Sequence, residues 1–160
     1  MHDDRAPGSR PLRLFLVALF AILVVLQTVP LPGQFAHLAE ESPHLAYLRW
    51  PMTAVSVLWL LCVQVVVVAT WKLLTLVEDD RIFSEASSVW VDVIVRAIGT
   101  AWVVLLVVFL WFGARADDPG LPILLALLLV GVTVLGLLMV VMRALLRQAT
   151  TLRTDMEAVI

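Results

Sequence analysis

Residues 71–99 read WKLLTLVEDDRIFSEASSVWVDVIVRAIG, and this stretch decides the fold. Its charged centre, residues 77–86, lies between two long apolar runs, and we call it the hinge. Ser84 is the predicted N-cap of the helix that follows, and Glu85 in the first turn favours the positive end of that helix. The pattern predicts one helix that leaves a membrane, a turn, and a second helix that enters it again.

The composition of the whole chain supports a membrane protein. Of 160 residues, 62% are hydrophobic and 15% are charged, and the mean hydropathy is +1.01. Soluble domains are roughly 45–50% apolar and about 25% charged. The chain is therefore predicted to be one integral membrane domain. The net charge of −2 gives no indication of direct nucleic-acid binding, and the single cysteine, Cys62, cannot form an internal disulfide and is interpreted as a core residue.

Four apolar runs predict four spans, at about residues 12–29, 52–76, 87–112 and 122–147. The first run has a basic start and resembles a signal peptide, but no small-x-small cleavage site follows it, so we expect a retained helix. The remaining segments are outer loops at residues 30–51 and 113–121, the hinge, and a polar tail at residues 148–160.

The basic residues predict the orientation, because they mark the cytoplasmic ends of spans. Nine fall on one side: Arg5, Arg10, Arg13, Lys72, Arg81, Arg96, Arg143, Arg147 and Arg153. Only Arg49 and Arg115 fall on the other. The predicted fold class is all-α, an up-down bundle of four transmembrane helices with both termini cytoplasmic.

The first outer loop contains four potential metal ligands. His37, Glu40, Glu41 and His44 have spacings that would stack them on one helical face. However, residues 42 and 43 are Ser-Pro, which breaks a helix and predicts a new short helix with Ser42 as N-cap and Pro43 at its first position. A solvated loop is the expected interpretation, and a metal- or pH-responsive site is the weaker alternative.

Polar residues inside the spans suggest structural contacts. Asp92 and Arg96 are spaced i,i+4 near the start of the third span, and we expect them to pair within that helix. The amide of Gln64 needs a partner in hydrocarbon, which we expect to be Gln27 or Thr133 on another helix.

Small residues indicate where helices approach closely. Gly131 and Gly136 are five residues apart and do not form a GxxxG face, so we expect close approach at Ala97, Gly99 and Ala101 instead.

Two absences from the sequence bear on function. No ionisable residue lies at mid-membrane depth, which argues against proton-coupled transport. No nucleophile–base pair and no glycine-rich phosphate loop are present. We therefore expect a protein that is not an enzyme and has no cofactor.

The hinge and the end of the chain resemble a bacterial family of small four-span membrane proteins, Domain of Unknown Function 2975. The matching residues are Asp80, Arg81, Phe83, Ser84, Arg96, Gly99, Leu152, Arg153, Asp155, Glu157, Val159 and Ile160. The resemblance implies a bacterial cytoplasmic membrane and no known activity. Some family members are encoded beside a small helix-turn-helix regulator, so it also implies a cytoplasmic regulator as partner.

The predicted function is a membrane scaffold or regulator that binds a partner through the hinge and the tail. Phe83 would dock in a groove of the partner or on its own helical bundle, or anchor at the membrane interface. The predicted partner-binding residues are Glu78, Asp79, Asp80, Arg81, Phe83, Glu85, Arg153, Asp155 and Glu157, and the structural ones are Ser84, Asp92, Arg96 and Gln64. The alternative is an accessory subunit of a larger integral membrane complex, and a homo-oligomer is compatible with either function.

Overall fold

A computed structural model describes residues 9–159. Five α-helices follow one another: α1 Ser9–Thr28, α2 Pro30–Glu41, α3 Arg49–Glu78, α4 Glu85–Gly113 and α5 Gly120–Val159. A 3₁₀ helix, Pro43–Leu48, connects α2 to α3, and residues 9–159 contain no β-strand. The prediction of an all-helical chain is confirmed.

Within residues 9–159, four helical segments are long and apolar enough to cross a membrane. They are Arg10–Thr28, Ala46–Glu78, Glu85–Gly113 and Gly120–Val159. Each contains one of the predicted spans almost completely, so the apolar runs identified the helices that are long and apolar enough to cross a membrane. The helices are longer than the apolar runs because charged residues at the ends of the runs also adopt helical structure.

The main difference from the predicted spans is at the end of the chain, where residues 148–159 continue α5 instead of forming a separate tail. The 40 residues of α5 extend over roughly 60 Å, about twice the thickness of a bilayer's hydrocarbon core. Neither glycine nor proline occurs after Gly136, so no residue in this part breaks the helix.

The chain divides into two compact units, residues 1–67 and residues 68–160. In the first unit, α2 occupies most of the segment that was predicted to be an outer loop. Pro30 and Pro32 both lie in the first turn of α2, where a backbone N–H has no partner within the helix, so the two prolines cost no hydrogen bond.

The predicted break at residues 42 and 43 is confirmed, since α2 ends at Glu41 and the 3₁₀ helix begins at Pro43. Ser42 occupies the N-cap position with φ −130° and ψ 80°, but its side chain makes no capping hydrogen bond. The proline that follows disfavours α conformation at Ser42, which explains the break.

Gln64 of α3 lies opposite α1 in the first unit. Its Nε2 donates to Oε1 of Gln27 at 3.2 Å, and Gln64 is buried. One of the two partners expected from the sequence is therefore confirmed. The other, Thr133, belongs to α5 and accepts a hydrogen bond from Trp102 Nε1 at 2.8 Å.

In the second unit, α4 and α5 pack as antiparallel neighbours. The buried residues of α4 recur at spacings of three and four: Ser87, Val91, Ile94, Ala97, Ile98, Ala101 and Leu105. Ala97 and Ala101 belong to this face, as expected. Gly99 does not, because it is exposed and a Cβ placed there would meet nothing within 4 Å. The close approach is at Gly136, where a Cβ would lie 3.4 Å from Cγ2 of Ile98.

Candidate functional site

The hinge begins with a tight turn that ends α3. The N–H of Arg81 donates to the carbonyl of Leu76 at 2.8 Å, and the N–H of Asp80 donates to that of Val77 at 3.1 Å. These two bonds form the Schellman motif that closes many helices, with Asp80 in the left-handed conformation at φ 54°. Aspartate tolerates this conformation better than most residues, so the local sequence suits the turn.

Two serines connect the turn to α4. Ser84 holds the N-cap position with extended backbone, as predicted, but its side chain makes no capping bond. Its hydroxyl donates instead to the carbonyl of Arg81 at 2.6 Å. Ser87, which was not singled out from the sequence, is fully buried, and its hydroxyl lies within bonding distance of the carbonyls of Ile82 and of Ser84, the latter at 2.7 Å. Ser87 therefore ties the first turn of α4 back to the hinge.

A contact between Phe83 and α5 joins the hinge to the end of the chain. The guanidinium of Arg153 lies over the ring of Phe83, 5.9 Å from its centroid, and its Nε is 3.4 Å from Oε1 of Glu157. Phe83 nevertheless remains 41% exposed. The two segments predicted to bind a partner thus meet on one surface of the second unit.

Asp92, one of the two acidic residues of α4, pairs with α5. Its Oδ1 lies 2.6 Å from Nε of Arg143, and its Oδ2 accepts from Nη2 of the same residue at 3.2 Å. A second arginine, Arg147, approaches Oδ2 with its Nη2 at 3.7 Å. The expected pair with Arg96 inside α4 is wrong, since the carboxylate is bound from the neighbouring helix. A hydrogen-bonded ion pair between partly buried side chains is stronger than an exposed i,i+4 pair.

The other predicted partner-binding residues are mostly exposed. The structure places Asp79, Asp80, Arg81, Glu85, Asp155 and Glu157 at exposed positions, and Glu78 at a half-buried one. The end of the second unit that carries the hinge therefore combines acidic side chains, one exposed aromatic ring and three arginines of α5. We call it the hinge end.

The outer-loop ligands do not form a site in the described part of the chain. Nε2 of His37 lies 3.3 Å from Oε1 of Glu41, and both side chains are largely exposed. His44 follows the break, on the 3₁₀ helix. Among residues 9–159, no group of three or more histidine, cysteine, aspartate or glutamate side chains is arranged to hold a metal ion.

Three residues of the site were not recognised as functional or structural residues from the sequence: Ser87, Arg143 and Arg147. The spacing of Arg143 and Arg147, one helical turn apart at the end of the fourth apolar run, is the signal that a sequence analysis can use. Ser87 has no such signal, because a serine in a first turn is common whether buried or exposed.

Comparison with known families identifies the chain. The model of a family described as a protein of unknown function, DUF2975, matches residues 33–160. The chain belongs to this family. The match includes the hinge, α4 and α5 and confirms the resemblance seen in the sequence, while α1 lies outside it. Comparison with curated proteins and with solved structures gives no match.

Proposed function

We propose that this DUF2975 protein is a non-enzymatic membrane scaffold or regulator that binds a soluble cytoplasmic protein at its hinge end. The proposal rests on the four apolar helices, on the basic residues, which predict that the hinge end is cytoplasmic, and on the length of α5. Bacterial origin and the cytoplasmic side of both termini are part of the same proposal.

The observation that carries the proposal is the exposed apolar stripe on the last four turns of α5. From Arg143 to Val159 the helix extends roughly 24 Å, beyond the length needed to cross the bilayer. Leu145, Leu152, Met156 and Val159 recur at spacings of seven, four and three residues, so they share one face of this segment. They are 54%, 63%, 68% and 87% exposed, respectively.

An apolar helical face outside the membrane is stabilised when a partner covers it. Amphipathic helices bind in apolar grooves through anchors at this spacing, and the affinity comes mainly from the buried apolar area. Phe83 adds an aromatic anchor at the hinge, and Arg153 holds it beside α5. The exposed acidic residues of the hinge then select a partner whose groove has a basic rim.

The test is affinity purification of the tagged protein from its own membranes in mild detergent, with the co-purifying chains identified by mass. We expect a soluble protein in fixed ratio, and we expect Met156→Lys to reduce its recovery at least tenfold. Thr154→Lys is the matched control, because Thr154 is exposed on another face of the same helix and the substitution adds the same charge. Equal recovery with both variants would contradict docking on the apolar stripe.

A second substitution set tests the hinge separately. Replacing Glu78, Asp79 and Asp80 with serine should weaken recovery of the partner without loss of membrane insertion. If recovery is unchanged, the hinge acids do not take part in docking, and the stripe alone binds the partner.

An accessory subunit of a larger membrane complex is the second candidate function. The observation in its favour is that none of the residues of α5 described here is buried, so a long apolar surface is left for other integral subunits. In the same purification, this function predicts integral membrane chains in place of a soluble one, and no effect of Met156→Lys.

A further inference from the structure

The ion-pair cluster at the hinge end contains more positive than negative charge. Asp92 supplies one carboxylate, while Arg143 and Arg147 supply two guanidinium groups. Arg96 lies one turn further along α4, on the same face as Asp92, and its side chain is exposed and forms no ion pair within the described residues. Arg143 and Arg147 of α5 thus contact the one carboxylate, and Arg96 adds a third cation one turn away on α4.

The cluster lies at a depth where lipid headgroups are found. The length of α4 from Arg96 to its end at Gly113 is about 26 Å, and the length of α5 from its start at Gly120 to Arg143 is about 35 Å. Since the hydrocarbon core is about 30 Å thick, both distances place the cluster near the boundary between acyl chains and headgroups. The net charge of +2 at this depth favours the binding of an anion.

The three arginines differ in how many of their N–H donors remain available for a ligand. Arg143 donates from Nη2 to Asp92, places its Nε 2.6 Å from the same carboxylate, and is about two-thirds buried. Arg147 touches the carboxylate only at 3.7 Å, and its side chain is 58% exposed. A guanidinium has five donors, so Arg147 and Arg96 each retain most of theirs.

We propose that Arg96 and Arg147 bind the phosphate of an anionic phospholipid headgroup on the face where Asp92 holds Arg143. Guanidinium groups bind phosphate oxygens in a bidentate manner, and basic pockets between spanning helices at a cytoplasmic surface bind anionic headgroups. The single carboxylate sets the charge of the site at +2, which favours a lipid of net negative charge over a zwitterionic one. The site is separate from the apolar stripe of α5 and does not depend on the proposed partner.

The experiment measures which lipid the full-length protein retains. The protein is purified in mild detergent, and binding of phosphatidylglycerol and phosphatidylcholine is measured by native mass spectrometry. A charge near an anionic surface contributes about 1 kcal/mol, which is about fivefold in binding. We expect wild-type protein to prefer phosphatidylglycerol, Arg147→Gln to lower that preference about fivefold, and Arg96→Gln/Arg147→Gln to remove most of it.

The matched control is Arg115→Gln at the opposite end of α4, where the guanidinium stacks 4.2 Å from the Trp111 ring centroid. It removes the same charge and should leave the preference unchanged. Arg147→Gln retains the 2.6 Å pair between Asp92 and Arg143, so this single variant tests the site if the double variant does not fold.

Three results would overturn the proposal. Wild-type protein could bind both lipids equally, the Arg115→Gln control could lose the same preference, or inorganic phosphate at millimolar concentration could release the lipid. The last result would assign the arginines to a soluble anion rather than to a membrane lipid.

Discussion

The contact between Asp92 and Arg143 is the best-defined interaction between α4 and α5, and its energy can be predicted. Removing the carboxylate by Asp92→Ala leaves Arg143, which is about two-thirds buried, without its anion. The pair consists of a 2.6 Å contact between Nε and Oδ1 and a hydrogen bond from Nη2 to Oδ2 at 3.2 Å. The side chains are 25% and 32% exposed, so water partly screens the charges.

The size of the effect follows from distance and exposure. At about 3 Å and an effective dielectric constant of about 20, Coulomb attraction is roughly 5 kcal/mol. Desolvation of both groups offsets most of this, because removing ions from water costs several kcal/mol. We expect a coupling free energy of about 1–2 kcal/mol for Asp92 with Arg143. For Arg147, at 3.7 Å and 58% exposed, we expect less than about 0.5 kcal/mol.

The assay is a set of double-mutant cycles on unfolding in mixed micelles of mild detergent and dodecyl sulfate. Alanine replaces Asp92 together with Arg143, Arg147 or Arg96 in turn, and each cycle isolates one pairwise free energy. The structure predicts a coupling near zero for Arg96. A coupling with Arg96 equal to or larger than that with Arg143 would refute the helix-to-helix pair and support the i,i+4 pair inside α4.

Three further predictions use the same unfolding measurement. Gln27→Leu should destabilise the protein by about 1–2 kcal/mol because it leaves the buried amide of Gln64 unpaired, whereas Gln27→Leu/Gln64→Leu should be nearly neutral; additive losses would contradict the hydrogen bond. Gly136→Leu should lower the free energy of unfolding by about 1–3 kcal/mol, because a side chain of α4 already lies 3.4 Å from the position of a Cβ. Gly131→Leu, with open space around it, should lower it by under about 0.5 kcal/mol. Equal losses would place the close approach elsewhere. Asp80→Val should lower the free energy of unfolding by about 1–2 kcal/mol, whereas Asp80→Gly should not lower it, because φ is 54° at this residue. If Asp80→Gly destabilises the protein, the aspartate side chain matters more than the backbone conformation.

Together these contacts describe how the hinge end is built. The Schellman turn ends α3, Ser87 ties the first turn of α4 to it, and Asp92 fastens α4 to α5. The contact of Arg153 with Phe83 then holds the hinge beside the last turns of α5. A partner that binds at this end would meet a surface whose main elements are already in place, which reduces the entropy cost of binding.

Much of the fold could be predicted because the responsible signals are local. Long apolar runs identified the four helices that are long and apolar enough to cross a membrane, and the Ser-Pro pair at residues 42 and 43 identified the break before the 3₁₀ helix. The position of Ser84 at the start of α4 was predicted in the same way. Each signal depends on hydropathy, backbone restriction or capping within a few residues, so no knowledge of neighbouring helices is required. The orientation derived from the basic residues stays a prediction.

Some local predictions were incomplete because competing signals were close in strength. The segment at residues 30–41 contains two prolines and one glycine, which favour a loop, yet it forms α2 because the prolines fall in the first turn. The hydroxyl of Ser84 can either cap α4 or donate to the carbonyl of Arg81, and it donates to the carbonyl. The free energies of such alternative local conformations differ by less than propensity rules can resolve.

By itself the sequence determined the number of apolar helices, their order, the place of the hinge and the membership of the family. Only the tertiary structure decided which polar groups meet: Asp92 binds Arg143, 51 residues away, rather than Arg96 one turn along the same helix. The physical reason is that partner choice between helices depends on their rotation and register. In apolar helices, rotation and register are set by close packing at residues such as Gly136. They cannot be read from a hydrophobic stripe in the sequence, because residues on every face of such a helix are apolar.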